Sequence, residues 1–139
     1  MAESETQAQI RVMEWWELHC AEYGLPAEAL VHVANEQPSA RRRILAAQMG
    51  VRAGFPDLML LAPRAGKALL FIEFKRESIK GTRNPLAGLS PKQKAYREFL
   101  LQQGYGYAIC RGENDLIEQF ALGSRRHEKN RHKGGFFAQ

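Results

Sequence analysis

The sequence contains little cysteine and no long hydrophobic run. Cys20 and Cys110 are the two cysteines among 139 residues, and neither stands at a metal-ligand spacing from the other or from a histidine. We expect both to be small buried residues rather than disulfide partners. No segment reaches the ~18 consecutive apolar residues of a membrane span, and the N-terminal MAESETQAQI lacks the order of a signal peptide. We therefore expect a cytoplasmic protein without membrane contact.

Extreme composition is also absent. Charged residues make up 25 % of the chain and apolar residues 45 %, which excludes collagen-like and wholly disordered chains. The length suits one domain with its own core. The net charge of +5 suggests a polyanionic partner, but residues 123–139 hold most of it. We predict a folded domain over residues 1–122 and a basic, flexible tail over residues 123–139.

The hydrophobic pattern alternates between helical and strand-like segments. The predicted order is helix, short strand, helix, strand, strand, helix, strand, helix, which indicates an α/β fold with a mixed central sheet flanked by helices. The opening helix, over residues 4–22, should bury Ile10. A later helix, over residues 91–103, should bury Phe99 together with Leu100.

Two apolar runs, residues 56–62 and 68–75, flank a Pro-Arg-Ala-Gly turn and predict an antiparallel hairpin. The second run is nearly continuous in apolar residues, so it should be a central strand with both faces covered. Asp57 opens the first strand, whereas Glu73 and Lys75 lie on one face near the end of the second. Because antiparallel partners run in opposite directions, these three charged side chains should meet at one edge.

Such a group of charges suits one kind of chemistry. Two carboxylates in a partly dry site repel each other, and a divalent cation with oxygen ligands relieves that repulsion. A lysine beside them can then stabilise negative charge on a substrate. This set favours metal-assisted phosphodiester hydrolysis, in which the cation polarises a phosphate and lowers the pKa of water. The alternative is a turn role for Asp57 and a surface Glu73–Lys75 ion pair, worth ~0–1 kcal/mol.

Residues 76–89 lack periodicity and predict a loop of about fourteen residues, a length that is often functional. Ser90-Pro91-Lys92-Gln93 then fits a helix start, with serine as N-cap, proline at the first helical position and glutamine completing a capping box.

The segment GFPD at 54–57, followed by EFK at 73–75, resembles the bipartite signature of the PD-(D/E)xK nuclease superfamily. With LSPKQ at 89–93 and GY at 104–105, the fuller pattern resembles the VRR-Nuc family, the virus-type replication and repair nuclease module. The resemblance extends over residues 5–111. It implies a restriction-endonuclease-like core and a stand-alone domain of the kind found in phages and prophages.

This resemblance also implies roles for particular residues. Asp57 and Glu73 would ligate Mg²⁺ or Mn²⁺, with the backbone carbonyl of Phe74 as a third protein ligand. Lys75 would be the catalytic lysine. Gln93 would have a role in the site, although its capping function alone explains its position.

An acid from the first helix often completes such a site. Glu5, which with Gln9 resembles the family's opening pattern, is the first candidate, and Glu14 and Glu36 remain open. His32 is expected to be an ordinary strand residue.

Small members of the family resemble junction resolvases that act as homodimers on branched DNA. We therefore expect a metal-dependent DNA endonuclease for branched DNA such as Holliday junctions, with a role in DNA repair and no organic cofactor. Alternatives are a catalytically silent nucleic-acid-binding subunit with a nuclease fold, or a sequence-specific restriction-type endonuclease. Eight basic residues are candidates for DNA phosphate contacts: Arg41, Arg42, Arg43, Arg52, Lys80, Arg83, Lys92 and Lys94.

Overall fold

The computed structural model describes residues 4–63, 66–75 and 84–120. The predicted basic tail lies outside the described residues, as do Lys80 and Arg83 of the predicted loop. The helices are α1 (Glu5–His19), α2 (Ala40–Gln48), α3 (Pro91–Gln102) and α4, described over residues 113–120; the strands are β1 (Leu30–His32), β2 (Leu58–Leu60), β3 (Leu70–Lys75) and β4 (Gly106–Arg111).

The four strands form one mixed sheet in the order β1-β2-β3-β4. β1, β2 and β3 are antiparallel neighbours, whereas β3 and β4 run parallel. This confirms the predicted α/β fold and the hairpin. β3 has a partner on each side, and its first five residues are buried, so it is the central strand that the continuous apolar run predicted.

The two faces of the sheet differ in character. One face carries Ile72, Phe74 and Cys110, which pack with Trp16 of α1 and Phe120 of α4 in the apolar core. Cys110 and Cys20 are both buried free thiols, as expected. The other face carries Phe71 and Glu73 of β3, because side chains alternate along a strand. The apolar core therefore lies on the Ile72 and Phe74 face of β3. Glu73, on the opposite face of the strand, points toward α3.

Helix α1 begins with a capping box between Ser4 and Gln7. Val12 and Trp16 are fully buried, and the Trp16 indole N–H donates to the carbonyl oxygen of Ala27 at 2.8 Å. The prediction that Ile10 is buried is wrong, since Ile10 is 53 % exposed. It lies two residues before Val12, about 200° around the helix axis and away from the core. The helix also ends at His19 and continues as a 3₁₀ turn rather than reaching residue 22.

Helix α3 begins as predicted, with Ser90 as N-cap and Pro91 in the first turn. Leu100 is buried, but Phe99 is 52 % exposed, so the prediction for Phe99 is wrong. One residue along a helix is a rotation of about 100°, and Leu100 occupies the direction that faces the sheet.

None of the helices within the described ranges has the length and apolar character needed to cross a bilayer.

Candidate active site

The β2–β3 register brings Asp57 beside Glu73. Leu58 pairs with Ile72, so the next position outward places Asp57 opposite Glu73. The backbone N–H of Phe74 donates to Asp57 Oδ2 at 2.7 Å. The Asp57 carboxyl is close enough to the Glu73 carboxyl to raise its pKa. The edge at which the sequence predicted a meeting of charges therefore holds two adjoining acids.

Glu73 is the most unusual acid of the sheet, because it is only 1 % exposed. Its Oε2 accepts a hydrogen bond from Gln93 Nε2 at 3.3 Å. Its buried Oε1 has no hydrogen-bond partner in the described part of the chain. Burial, the largest cause, and the adjoining Asp57 carboxyl together raise the pKa of Glu73 to about 9, although the nearby Lys75 ammonium acts in the opposite direction. Without a cation beside it, the buried Glu73 carboxyl therefore favours its protonated form more than a carboxyl in water does.

Gln93 connects the start of α3 to this acid. The side-chain Oε1 of Gln93 accepts a hydrogen bond from the backbone N–H of Ser90 at 2.8 Å. The backbone N–H of Gln93 donates to Ser90 Oγ at 3.1 Å, which completes the capping box. The Nε2 end of the same amide donates to Glu73. Capping and contact with the acid therefore occur together, one at each end of the amide.

Gly54 lets the loop before Asp57 approach α3 closely. It has φ +86°, and a Cβ at this position would lie 2.7 Å from the backbone carbonyl carbon of Lys92. Phe55 then packs edge-to-face between Phe71 of β3 and Tyr96 of α3. The loop, β3 and the first turns of α3 are therefore fixed relative to one another around Asp57.

A cleft of about 300 Å³ opens beside Asp57, and its lining includes Glu5, Gln9, His32, Asn35 and Glu36. Of the three candidate helix or loop acids, Glu5 and Glu36 line this cleft. The negative charge of Glu5 also contributes to the raised pKa of Glu73. Glu14 is not in the lining; nine residues farther along α1, it lies about 13 Å from Glu5 along the axis. A larger cavity, about 650 Å³, runs along α2 and does not include the acid pair.

Comparison with known proteins agrees with the fold described above. The profile of the VRR-NUC domain matches residues 3–114. The chain belongs to the VRR-NUC domain family. A solved structure described as a VRR_NUC domain protein is 26 % identical in sequence, with a TM-score of 0.68, and the alignment covers 88 % of this chain and 93 % of the other. No curated protein matches the chain. Membership makes this a nuclease-type domain.

In this VRR-NUC domain, the carboxyl groups of Asp57 and Glu73 are the side chains that could hold a hard cation. Within residues 4–63, 66–75 and 84–120, no group of three or more His, Cys, Asp or Glu side chains could hold a metal. Two converging carboxylates are nevertheless enough for Mg²⁺, which binds proteins through one or two carboxylates and keeps several water ligands. The unpartnered, buried Oε1 of Glu73 is the observation that favours a cation, because such an oxygen gains most from a positive charge beside it.

Lys75 is partly buried at the end of β3, and its positive charge acts to lower the pKa of Glu73. The basic residues proposed for DNA contact that fall in the described ranges are all exposed: Arg41, Arg42, Arg43, Arg52, Lys92 and Lys94.

Sequence reasoning missed several residues around the VRR-NUC site. His32 is the last residue of β1, so it is a strand residue as expected, but it also lines the cleft, with Nδ1 3.0 Å from the carbonyl oxygen of Asp57. Asn35 donates from Nδ2 to the carbonyl oxygen of Phe55 at 2.7 Å. The pairing of β1 with β2 places His32 opposite Leu58, so a correct strand register was the signal that could have found it.

Arg111 was also missed. Its guanidinium is buried at the end of β4 and donates to the carbonyl oxygens of Pro85 and Ala87, each at 2.9 Å. Those two residues belong to the turn that leads into Ser90. Arg111 therefore holds the chain in front of α3 and helps to place Gln93.

Proposed function

We propose that this protein is a divalent-metal-dependent DNA endonuclease that hydrolyses phosphodiester bonds in branched DNA, such as four-way junctions, during DNA repair in the cytoplasm. Mg²⁺ or Mn²⁺ is the proposed cofactor, and no organic cofactor is needed. The observation that carries this proposal is the adjoining placement of Asp57 and Glu73, with Lys75 on the same strand face.

Each residue has a defined task in this proposal. Asp57 and Glu73 would hold the cation, with the carbonyl of Phe74 as a further ligand and Glu5 as the acid from α1. When bound, the cation supplies charge that polarises the scissile phosphate and lowers the pKa of water. Lys75 stabilises the negative charge that develops on the phosphate.

Gln93 orients the Glu73 carboxyl in this scheme. Its contact is supported by the 3.3 Å separation of Nε2 and Oε2. The capping box fixes the other end of the amide, so little conformational entropy is lost when the contact forms.

Basic side chains on two surfaces would hold the DNA backbone. Arg41, Arg42 and Arg43 project from α2, and Lys92 and Lys94 project from the first turns of α3. Phosphate contacts of this kind release counterions, so DNA affinity should fall steeply with salt concentration.

The proposed active form is a homodimer, because cutting both strands of a symmetric junction needs two active sites related by a two-fold axis. Ala46 is the buried residue of α2, whereas Ile44 and Met49 are 64 % and 78 % exposed. This helix is therefore a candidate surface for a second copy. Light scattering should give a dimer mass for the wild type and a monomer mass for Met49→Glu.

Cleavage assays test the enzymatic proposal. Four-way junction, linear duplex and plasmid DNA are incubated with Mg²⁺, Mn²⁺ or EDTA. We expect junction cleavage that requires the metal and falls at least ~100-fold in Lys75→Ala. Lys67→Ala is the matched control, since Lys67 is exposed before the opposite end of β3.

The other outcomes identify the alternatives. Junction binding without turnover under either metal indicates a silent binding subunit. Cleavage of duplex DNA at a fixed sequence indicates a restriction-type enzyme. Cleavage that EDTA and Lys75→Ala leave unchanged contradicts the proposed chemistry.

A further inference from the structure

His32 joins three elements at the wall of the cleft. It is the last residue of β1, and its Nδ1 lies 3.0 Å from the carbonyl oxygen of Asp57 and 3.0 Å from Nε2 of Gln9 on α1. The same carbonyl accepts the backbone N–H of Val33 at 2.8 Å. One exposed ring therefore contacts the peptide of a site acid and the helix that carries another.

The contact with Asp57 determines the state of the ring. A carbonyl oxygen only accepts hydrogen bonds, so Nδ1 must carry a proton to bond to it. The structure places Nε2 of Gln9 next to Nδ1, and a half-turn of the Gln9 amide about its terminal torsion would bring Oε1 there instead, as an acceptor for the same N–H. With the Gln9 amide turned in this way, the neutral ring with its proton on Nδ1 satisfies both neighbours. Nε2 has no hydrogen bond to the described residues.

These contacts link the positions of two site acids, Glu5 and Asp57. Gln9 is four residues after Glu5, so the two lie about one turn apart on the same side of α1. Both line the cleft with His32 and Asp57. The ring therefore connects the α1 face that presents Glu5 to the peptide that presents Asp57, a connection that the β1–β2 ladder alone does not make.

We propose that His32 is a positioning residue of the nuclease site, whose Nδ1–H holds the Asp57 peptide and α1 together so that Asp57 and Glu5 face one cleft. This inference rests on the proposed function, and it assigns His32 no direct contact with substrate. Residues that hold a metal ligand in position without touching the metal typically affect metal affinity or activity by about 10- to 100-fold.

Two substitutions show which of the two ring nitrogens of His32 has the positioning role. The amide nitrogen of asparagine can occupy the place of Nδ1, whereas that of glutamine corresponds to Nε2. We expect His32→Asn to retain nearly wild-type kcat on junction DNA. His32→Gln and His32→Ala should lose about 10- to 100-fold in kcat with little change in KM for DNA. His19→Gln is the matched control, because His19 lies at the far end of α1 and contacts Glu22.

Two readouts do not depend on turnover. Calorimetric titration with Mn²⁺ should show weaker binding in His32→Ala and His32→Gln but not in His32→Asn, with thermal midpoints close to wild type in all three. Nitrogen-15 NMR of the wild type without metal at pH 8 should show the proton on Nδ1 of His32.

Several results would overturn the inference. One is activity in His32→Gln together with loss in His32→Asn, which would assign the role to Nε2. Others are wild-type Mn²⁺ affinity and kcat in His32→Ala, a large fall in thermal midpoint that accounts for the loss, or an Nε2-protonated neutral ring. Failure of the proposed function looks different: the wild type itself would then cleave no DNA with any divalent ion, while the NMR result would still decide the state of the ring.

Discussion

The backbone N–H of Phe74 donates to the carboxylate of Asp57 at 2.7 Å. This bond fixes one oxygen of Asp57 against β3 and leaves the other for a ligand. The bond requires an acceptor but not a negative charge. The structural and the proposed metal-binding roles of Asp57 can therefore be separated.

Asp57→Asn tests that separation. Asparagine keeps an oxygen that can accept from Phe74 but loses the charge that a cation needs, so we expect a folded protein without metal-dependent cleavage. Circular dichroism should give a thermal midpoint near that of the wild type, and the cleavage assay should show no product above background. Glu14→Gln, an acid outside the cleft, should retain wild-type activity. Full activity in Asp57→Asn would remove this residue from the site.

Glu73 predicts a particular pH dependence in the absence of metal. Its pKa is raised to about 9 by burial and by Asp57, so the folded protein binds one more proton than the unfolded chain between about pH 4.5 and pH 9. The contribution of Glu73 to stability is therefore fully present below its ordinary pKa and is lost as pH rises, by at most ~1.4 kcal/mol per pH unit.

Glu73→Gln removes this titration, so its stability relative to the wild type should increase from pH 5 to pH 9 in EDTA. Urea denaturation at a series of pH values measures the difference. Saturating Mn²⁺ should reverse the order at pH 8, because the wild type alone gains binding energy. Two parallel pH profiles in EDTA would show that Glu73 is not protonated in the metal-free protein.

Gln93→Glu separates capping from contact with the acid. Glutamate serves equally well at the third position of a capping box, so α3 should keep its start and the thermal midpoint should change little. The substitution places a third carboxylate against Glu73 and removes the N–H that Glu73 accepts. We expect strongly reduced cleavage, measured on junction DNA. Gln93→Ala should lose both functions, and equal activity in Gln93→Glu and wild type would restrict Gln93 to capping.

Gly54→Ala should be costly for two physical reasons. Its φ of +86° is unfavourable for alanine, at about 1–2 kcal/mol, and the added Cβ would lie 2.7 Å from the Lys92 backbone. Displacing α3 adds about 1–3 kcal/mol and moves Gln93 away from Glu73. Gly50→Ala is the matched control, because Gly50 has φ +101° but open space around it. Urea denaturation should show a larger loss for Gly54→Ala, and similar losses would exclude the packing effect.

The sequence predicted those features that depend on local pattern. The hairpin could be predicted because a turn that contains proline and glycine separates two apolar runs, and that hairpin alone placed Asp57 opposite Glu73. The capping box at Ser90 was likewise encoded within four residues. The burial of Ile10 and Phe99 was predicted wrongly, because several apolar faces are compatible with the spacing in each helix and only the packed sheet selects one.

Long-range contacts could not be predicted in the same way. His32 meets the Asp57 peptide across 25 positions, and Arg111 meets Ala87 across 24. No local sequence pattern encodes such pairs, because each depends on the strand register and on the path of the chain between distant elements. The orphaned Oε1 of Glu73 is a further example, because its environment is set by three elements together.

The most direct test is anomalous diffraction from crystals of the wild type grown with Mn²⁺, compared with Asp57→Asn crystals treated identically. We predict one strong peak between the carboxylates of Asp57 and Glu73 in the wild type, bonded to an oxygen of each, and no peak there in the variant. A wild-type crystal with no manganese at this position, or a peak that Asp57→Asn leaves unchanged, would contradict the account.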